Sequence, residues 1–219
     1  MHPIIIEYTQ RFNLKPAKQI DSFYTNLNID EFIVKLPYLH DVEKFCMRLY
    51  KAFQQNHRIC IYSDYDTDAV TATATMYWGL IELGFNKDLL SFYAPDRFTE
   101  GYGMNVDAIS QLALKNDLII SVDCGINSVA EADKLREMRE NSLTQCELII
   151  TDHHHLSGYL PNCEAVCNPR LSFDWTQHTF EFDGKSESTL VFLSDSVTGV
   201  GVAWFCLVWL GYFLEKVAH

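Results

Sequence analysis

The stretch that most constrains this chain runs from residue 59 to 73, ICIYSDYDTDAVTAT, where an apolar run meets three carboxylates. Its first four residues are apolar and rich in β-branched side chains, which predicts a buried β-strand. Asp64, Asp66 and Asp68 follow at alternate positions. In extended backbone such side chains point to one side, so we expect their charges to converge. Converging carboxylates repel one another unless a cation lies among them, and oxygen ligands suit Mg²⁺ or Mn²⁺. The sequence therefore predicts a metal site at the end of a core strand.

The same aspartates have a plainer interpretation, in which their side chains cap the helix that follows. An EF-hand is excluded, because position six counted from Asp64 is Ala69 instead of Gly and position twelve is Thr75 instead of Glu. Any further metal ligands must therefore come from other parts of the chain.

The composition indicates a globular protein of about one domain, with 219 residues and 48% hydrophobic side chains. A net charge of −12 argues against a general nucleic-acid-binding surface. It does not exclude a phosphoester substrate, because bound divalent ions reverse the local field. The seven cysteines form an odd set, mostly within apolar runs, which favours a reducing cytoplasm over a disulfide framework. Cys163 and Cys167 lack the second pair that a zinc site needs.

The pattern along the chain alternates strands and helices. Residues 1–40 are predicted to form an N-terminal arm, and residues 41–219 the main domain. Apolar runs predict strands at residues 59–62, 89–94, 118–122, 148–151 and 165–167, and periodic patterns predict helices from Val42, at 69–83, after Asn105 and at 128–140. Such alternation predicts an α/β fold, a parallel β-sheet with helices on both faces.

Further polar groups follow the later strands of this predicted sheet. Asp123 ends the third strand, and His153 and His154 follow the fourth. Because ligands of open α/β sheets bind at the carboxyl ends of the strands, we expect these groups beside the aspartates. A carboxylate at Asp123 is suited to bridging two metals, and neutral imidazole is a common ligand. The alternatives are an aspartate that caps the next helix and a solvated histidine turn.

Candidate substrate-binding residues flank these strand ends: His154, Arg97, Asn168 and Arg170. A guanidinium forms two parallel hydrogen bonds to phosphate oxygens, which suits Arg97 and Arg170 to phosphate binding. A surface salt bridge is an equally good interpretation of both arginines.

The last part of the chain, Gly199–Lys216, is apolar on every side. Its uninterrupted part is short for a membrane span and contains three glycines, so we predict a buried helix and no membrane association. A helix this apolar needs cover on all sides. We expect part of the apolar surface of residues Val200–Leu214 to be left exposed. A protein partner or a further segment would cover this surface.

Six blocks of the sequence resemble the DHH phosphoesterase superfamily and, within it, the RecJ-like exonucleases. In order they are SDYDTDAVTATA, APDRFTEGYGMN, IISVDCGINS, IITDHHHLSG, VCNP and TGVGVAWF, and the similarity extends from about residue 35 to the end. The PDRFTEGYG and GVGVA blocks are specific to the RecJ-like branch. The resemblance implies a phosphodiesterase with a two-metal Mn²⁺ or Mg²⁺ site that digests single-stranded DNA or short oligonucleotides from the 5′ end.

The resemblance also implies roles for particular residues. Asp66 and Asp68 correspond to metal ligands of the first motif, and Asp64 to a further carboxylate for the same metal. Asp123 corresponds to the bridging, catalytic aspartate and His153 to the imidazole ligand. His154 corresponds to the second histidine, which is expected near the scissile phosphate.

Two departures from the family pattern limit the prediction. Ala69 stands where the family has a glycine, and residues 207–219 contain no match to the block that carries the last metal-binding aspartate. The DHHA1-type domain is also absent from this sequence, so we expect a fold that is incomplete at its C-terminus. A catalytically degenerate binding or scaffold module is therefore an alternative to the nuclease. A third possibility is an enzyme that acts on a small phosphoester.

Overall fold

Five parallel β-strands form the central sheet. The computed structural model describes residues 39–101, 103–171 and 197–217, which belong to a unit that runs from Pro37 to His219. The strands are β1 (Ile59–Ser63), β2 (Leu90–Tyr93), β3 (Leu118–Val122), β4 (Glu147–Thr151) and β5 (Ala165–Cys167). They lie side by side in the order β2-β1-β3-β4-β5, and every neighbouring pair is parallel. The predicted α/β fold is confirmed.

In the described part of the chain, five α-helices connect and cover the strands: α1 (Val42–Gln55), α2 (Thr67–Glu82), α3 (Val106–Ala113), α4 (Val129–Glu140) and α5 (Gly199–Val217). Two single-turn 3₁₀ helices, Lys87–Leu89 and Pro169–Leu171, precede β2 and follow β5. The structure bears out two predicted boundaries. Asn105 caps α3, its side-chain oxygen accepting from the amide of Ala108 at 2.7 Å, and Gly84 follows α2 with a φ of 92°.

The helices cover both faces of the sheet, which explains why the central strands are apolar at every position. Tyr62, Ile119 and Ile150 pack in one core cluster with residues of α3 and α4. The alternate strand residues, such as Ile61 and Ile120, are equally buried and face α1, α2 and α5. Strands buried on both sides read as continuous apolar runs instead of alternating ones.

The segment before α1 closes the outer edge of β5. His40 Nδ1 lies 2.9 Å from the carbonyl oxygen of Val166, and Asp41 accepts a hydrogen bond from the Val166 amide at 3.2 Å. These two side chains thus bind backbone groups of β5 to which a sixth strand would otherwise hydrogen-bond. The remainder of the predicted N-terminal arm, residues 1–38, lies outside the described residues.

The terminal helix α5 is buried in its first half and only partly covered in its second, as expected for an apolar helix that lacks part of its cover. The residues between Gly199 and Leu210 that face α1 and α2 are buried, whereas Gly211–Leu214 are half-buried and the last three residues are exposed. Among the described helices, α5 is the one long and apolar enough to cross a membrane, a test that core helices also pass.

Candidate metal centre

Four polar side chains form a row along the carboxyl edge of the sheet. Ser63, Val122, Thr151 and Cys167 end their strands and are paired in register. The next residue in each case is polar, and all four of these residues are at least 99% buried: Asp64, Asp123, Asp152 and Asn168. A row of buried polar groups at this edge is where open α/β proteins bind ligands.

Asp123 lies at the centre of the row and adopts an unusual backbone conformation. Its φ is 59°, in the left-handed region that aspartate tolerates better than most residues, and its amide donates to the Thr151 carbonyl at 2.9 Å. The Asp123 carboxylate oxygen Oδ1 lies 3.1 Å from His153 Nε2, yet this oxygen has no partner in hydrogen-bonding geometry. Carboxylate oxygen and imidazole nitrogen are both common metal ligands, so this close pair is a candidate for joint binding of one cation.

A second buried carboxylate oxygen also lacks a donor. Asp64 Oδ1 accepts from the Tyr65 amide at 2.7 Å, whereas Asp64 Oδ2 has no hydrogen-bond partner. Buried polar atoms are nearly always paired, so two unpaired oxygens on neighbouring strand ends form a position suited to a positively charged group. Burial raises the pKa of Asp123 to about 7, with further increases from Asp68 and Asp66. Burial also raises the pKa of Asp64. The donor set therefore fits a hard divalent cation.

The geometry predicted for Asp66 and Asp68 was wrong. The chain stops being extended at Asp66, which is the N-cap of α2 and accepts from the Ala69 amide at 2.9 Å. Asp68 therefore lies in the first helical turn. Its Oδ2 is 3.8 Å from His153 Nε2, so the helix still carries this carboxylate to the site. Asp66 therefore caps α2, as the plainer interpretation predicted, while Asp68 lies close to the candidate metal site.

At Ala69, where the family has a glycine, a Cβ was expected to shift the loop, but the structure shows no such effect. It lies inside α2 and is fully buried, in a helical conformation that alanine adopts without strain. The family's glycine is therefore not required for the backbone at this position.

The first turn of α5 completes the wall of the site. The amides of Gly199 and Val200 donate to the two oxygens of Asp68 at 2.8 and 2.9 Å. An anion at a helix N-terminus is stabilised by these unpaired amides and by the helix dipole. A Cβ placed on Gly199 would overlap with the Asp123 carboxylate, so only glycine permits this approach.

Asp152 organises both histidines, and sequence reasoning assigned it no role. Its Oδ1 accepts from the amides of His153 and His154 at 2.7 and 3.1 Å and lies 2.8 Å from His154 Nδ1, while its Oδ2 accepts from the Ile126 amide at 2.9 Å. Burial alone would raise the pKa of Asp152, but the His154 ring and the amides hold it below its usual range. The hydrogen bond to Asp152 raises the pKa of His154.

Asn168 and Arg170 hold the histidine loop from the other side. Asn168 Nδ2 donates to the His154 carbonyl at 3.0 Å, its Oδ1 accepts from the Arg170 amide at 2.8 Å, and the side chain is fully buried. The prediction that Asn168 contacts substrate is therefore corrected, because its amide is inaccessible and used within the protein. Arg170 Nε donates to the His153 carbonyl at 2.7 Å, so it too supports the loop.

Arg97 lies in the loop after β2 and is exposed. Its guanidinium carbon is 5.3 Å from the centre of the Tyr65 ring, next to Asp64 and Asp66. The arginine thus stands at the rim of the carboxylate site.

These features define an α/β domain with a cluster of carboxylates and histidines, a candidate metal site, at the carboxyl edge of its parallel sheet. The model of the DHH family, N-terminal domain, matches residues 58–194, and the chain belongs to this family. Curated relatives include the single-stranded-DNA-specific exonucleases RecJ of Escherichia coli, 32% identical over 178 residues, and of Thermus thermophilus, 35% identical over 182 residues. The alignments cover 81% and 83% of this chain, but only 27% and 23% of those relatives.

Solved structures agree with the sequence comparison. An exonuclease RecJ bound to manganese superposes with a TM-score of 0.64 at 31% identity, covering 82% of this chain and 39% of that one. RecJ of Thermus thermophilus in complex with Mn²⁺ gives a TM-score of 0.59 at 28% identity, covering 82% of this chain and 22% of that one. The resemblance to RecJ-like proteins predicted from the motifs is confirmed, for a chain that spans about a quarter of its curated relatives' length.

Proposed function

We propose that this chain carries the metal-binding half of a phosphodiesterase that releases nucleotides from single-stranded DNA or short oligonucleotides, with RecJ-like 5′→3′ polarity. The observation that carries the proposal is the pair of buried carboxylate oxygens without donors, Asp64 Oδ2 and Asp123 Oδ1, beside His153. Hydrolysis of a phosphodiester needs positive charge where the phosphate charge develops, and this site is built to hold it.

Five residues would hold Mn²⁺ or Mg²⁺ at this site: Asp64, Asp66, Asp68, Asp123 and His153. When bound, such ions lower the pKa of a coordinated water and neutralise charge on phosphoryl oxygens. An acidic protein thereby accepts a polyanionic substrate, because the bound cations outweigh the local carboxylates. Arg97 at the rim, together with Arg170, is our proposed contact for phosphate oxygens outside the metal site.

His154 is our proposed acid–base group. Its Nδ1 proton is directed to Asp152, which fixes the tautomer and the ring orientation. The same contact raises the pKa of His154 and so favours the imidazolium, whose Nε2–H would donate to a phosphate oxygen or to the leaving oxygen. Asp152 and Asn168 keep this ring in place without contacting substrate.

A scaffold module with a degenerate site is the competing proposal. Ala69 was one of the two observations that favoured this alternative, but alanine fits the helical backbone at this position and no longer argues for a degenerate site. The second observation was that no part of this sequence matches the block that carries the family's last metal-binding aspartate. A partner polypeptide or a further segment that packs over α5 would supply that aspartate. The free cysteines suit the reducing cytoplasm in which we place either protein.

The test is metal-dependent nucleotide release from single-stranded DNA labelled at its 5′ or its 3′ end. We expect release in Mn²⁺ from the 5′ label first, and its loss in Asp123→Asn and in His154→Ala. The matched control is Asp133→Asn on the surface of α4, which leaves the site untouched and should retain wild-type release.

The outcomes separate the candidate functions. Absence of release together with Mn²⁺ binding by calorimetry would indicate a site that needs a partner. Absence of both would overturn the enzyme in favour of the scaffold. Turnover of small phosphoesters alone would overturn the nucleic-acid substrate.

A further inference from the structure

A cavity of about 500 Å³ opens beside the metal site, on the far side of His154. Its wall is formed by the turn after β3, the first turn of α4, the residues just before α3 and the loop after β4. The volume lies within the range of roughly 300–1,000 Å³ that is usual for small-molecule sites. Neither Asp68 nor His153 lines it, so it is a neighbour of the metal site and not the same space.

His154 joins the two spaces. A ligand atom of His154 lies within 4.8 Å of those of Asp123 and His153, and the same residue lines the cavity. A phosphate held at the metal site would therefore have its attached nucleoside at the mouth of the cavity. Two further cavities, one beside the end of α1 and one beside α4, contain none of the candidate metal ligands in their walls.

The deep wall of the cavity is apolar. Met104 and Ile126 are 7% and 1% exposed, and Gly125 lies beside them. Gly125 has a φ of 110°, and a Cβ there would meet Ser121 Oγ at 2.8 Å and Met104 Sδ at 3.0 Å, so this tight turn requires glycine. An apolar wall suits the face of a nucleobase.

The rim of the cavity is polar and acidic. Glu131, in the first turn of α4, is half-buried and makes no hydrogen bond or ion pair with other residues in the described part of the chain. Ser128, the N-cap of α4, makes no side-chain capping bond. A carboxylate at this position repels phosphate but accepts hydrogen bonds from an exocyclic amine or a sugar hydroxyl. The charge therefore directs the uncharged part of a nucleotide into the cavity and its phosphate towards the metal site.

We infer that this cavity binds the nucleoside attached to the phosphate under attack, with the base against Met104 and Ile126 and its polar edge towards Glu131. The inference rests on the proposed function in that it takes the ligand to be a nucleotide. It adds a base-binding site, and hence a preference among bases, that the metal ligands alone cannot provide.

The test compares deoxyadenosine 5′-monophosphate with 2-deoxyribose 5-phosphate, which lacks the base, in Mg²⁺ by saturation-transfer NMR. In the wild type we expect magnetisation transfer to the adenine protons and about fivefold or more tighter binding of the nucleotide. Ser128→Phe fills the cavity without removing a capping bond and should abolish this difference. Glu131→Gln preserves the shape and should weaken the preference for adenine and cytosine nucleotides over the thymine nucleotide.

Glu140→Gln, at the exposed end of the same helix, is the matched control and should behave as the wild type. Equal binding of the two probes to the wild type would overturn the inference, as would wild-type behaviour of Ser128→Phe and Glu131→Gln together. Nucleotide release measured on the same samples distinguishes the two proposals. Release without base-dependent binding overturns the cavity alone, and base-dependent binding without release supports the cavity and overturns only nucleotide release by this chain on its own.

Discussion

Gly199 and Asp123 are in contact, although they lie far apart in the sequence. The first residue of α5 lies so close to the Asp123 carboxylate that a Cβ at this position would overlap with it. The amides of Gly199 and Val200 meanwhile bind Asp68. The start of the most apolar helix thus forms part of the metal site, and the packing of α5 against α2 determines where Asp68 and Asp123 lie.

Gly199→Ala should therefore weaken metal binding. The new methyl group must displace either α5 or the Asp123 carboxylate, and the former movement also breaks the amide contacts to Asp68. We expect Mn²⁺ affinity, measured by calorimetry, to fall by at least about tenfold. The free energy of unfolding should fall as well, because the first residue of a helix gains little helix propensity from alanine and the overlap with Asp123 remains.

Gly211→Ala provides the control on the same helix. A Cβ at Gly211 meets only the end of the Leu83 side chain at 3.3 Å, far from the site. The substitution is the same but lies in the interior of α5, outside the site, so this variant should bind Mn²⁺ as the wild type does. Equal affinities in the two alanine variants would contradict the role of Gly199.

Sequence patterns predicted the strands and the sheet edge where the polar groups meet, but not the contacts that α5 makes with this edge. The bounds of β3 and β5 were predicted to the residue, because strands buried on both faces leave unbroken apolar runs. The shared direction of Asp64, Asp66 and Asp68 was wrong, because capping by Asp66 starts a helix where extended backbone was assumed. The contact between Asp68 and Gly199 joins residues 131 positions apart, and hydrophobic periodicity cannot predict a contact at that distance because it describes only neighbouring residues. Asp152 could have been found, since it follows a predicted strand just as Asp64 and Asp123 do.

Replacement of Asp152 by asparagine should uncouple His154 and destabilise the domain. All four contacts of this buried carboxylate are with nitrogen groups, and an amide NH₂ at either oxygen position would face a donor. We expect a loss of about 2–4 kcal/mol in urea denaturation. NMR titration should show a lower pKa for His154, because the hydrogen bond that raises it is weakened. Asp133→Asn is the surface control, and an unchanged His154 pKa in Asp152→Asn would contradict the assignment.

The stability of the metal-free protein should fall as pH rises. The pKa of Asp123 is raised in the folded state to about 7, so folding favours its protonated form. This contribution is complete below about pH 4, the ordinary range of an aspartate, and is lost as pH rises to about 7. We expect it to amount to about 2–4 kcal/mol. Denaturation in a chelator at several pH values measures the slope, which saturating Mg²⁺ and Asp123→Asn should both flatten. An equal slope in Asp123→Asn would assign it to other groups.

Asp64→Asn should change stability and metal binding in opposite directions. The carbonyl oxygen of asparagine can retain the bond from the Tyr65 amide, while its NH₂ group replaces the unpaired Oδ2. Loss of a buried charge that has no partner should stabilise the metal-free protein by about 1 kcal/mol. Removal of an oxygen ligand should weaken Mn²⁺ binding by at least about tenfold. Thermal unfolding with a chelator and calorimetric titration with Mn²⁺ measure the two effects. Because a purely structural aspartate would lose stability on this substitution, a destabilised variant with unchanged metal affinity would remove Asp64 from the metal site.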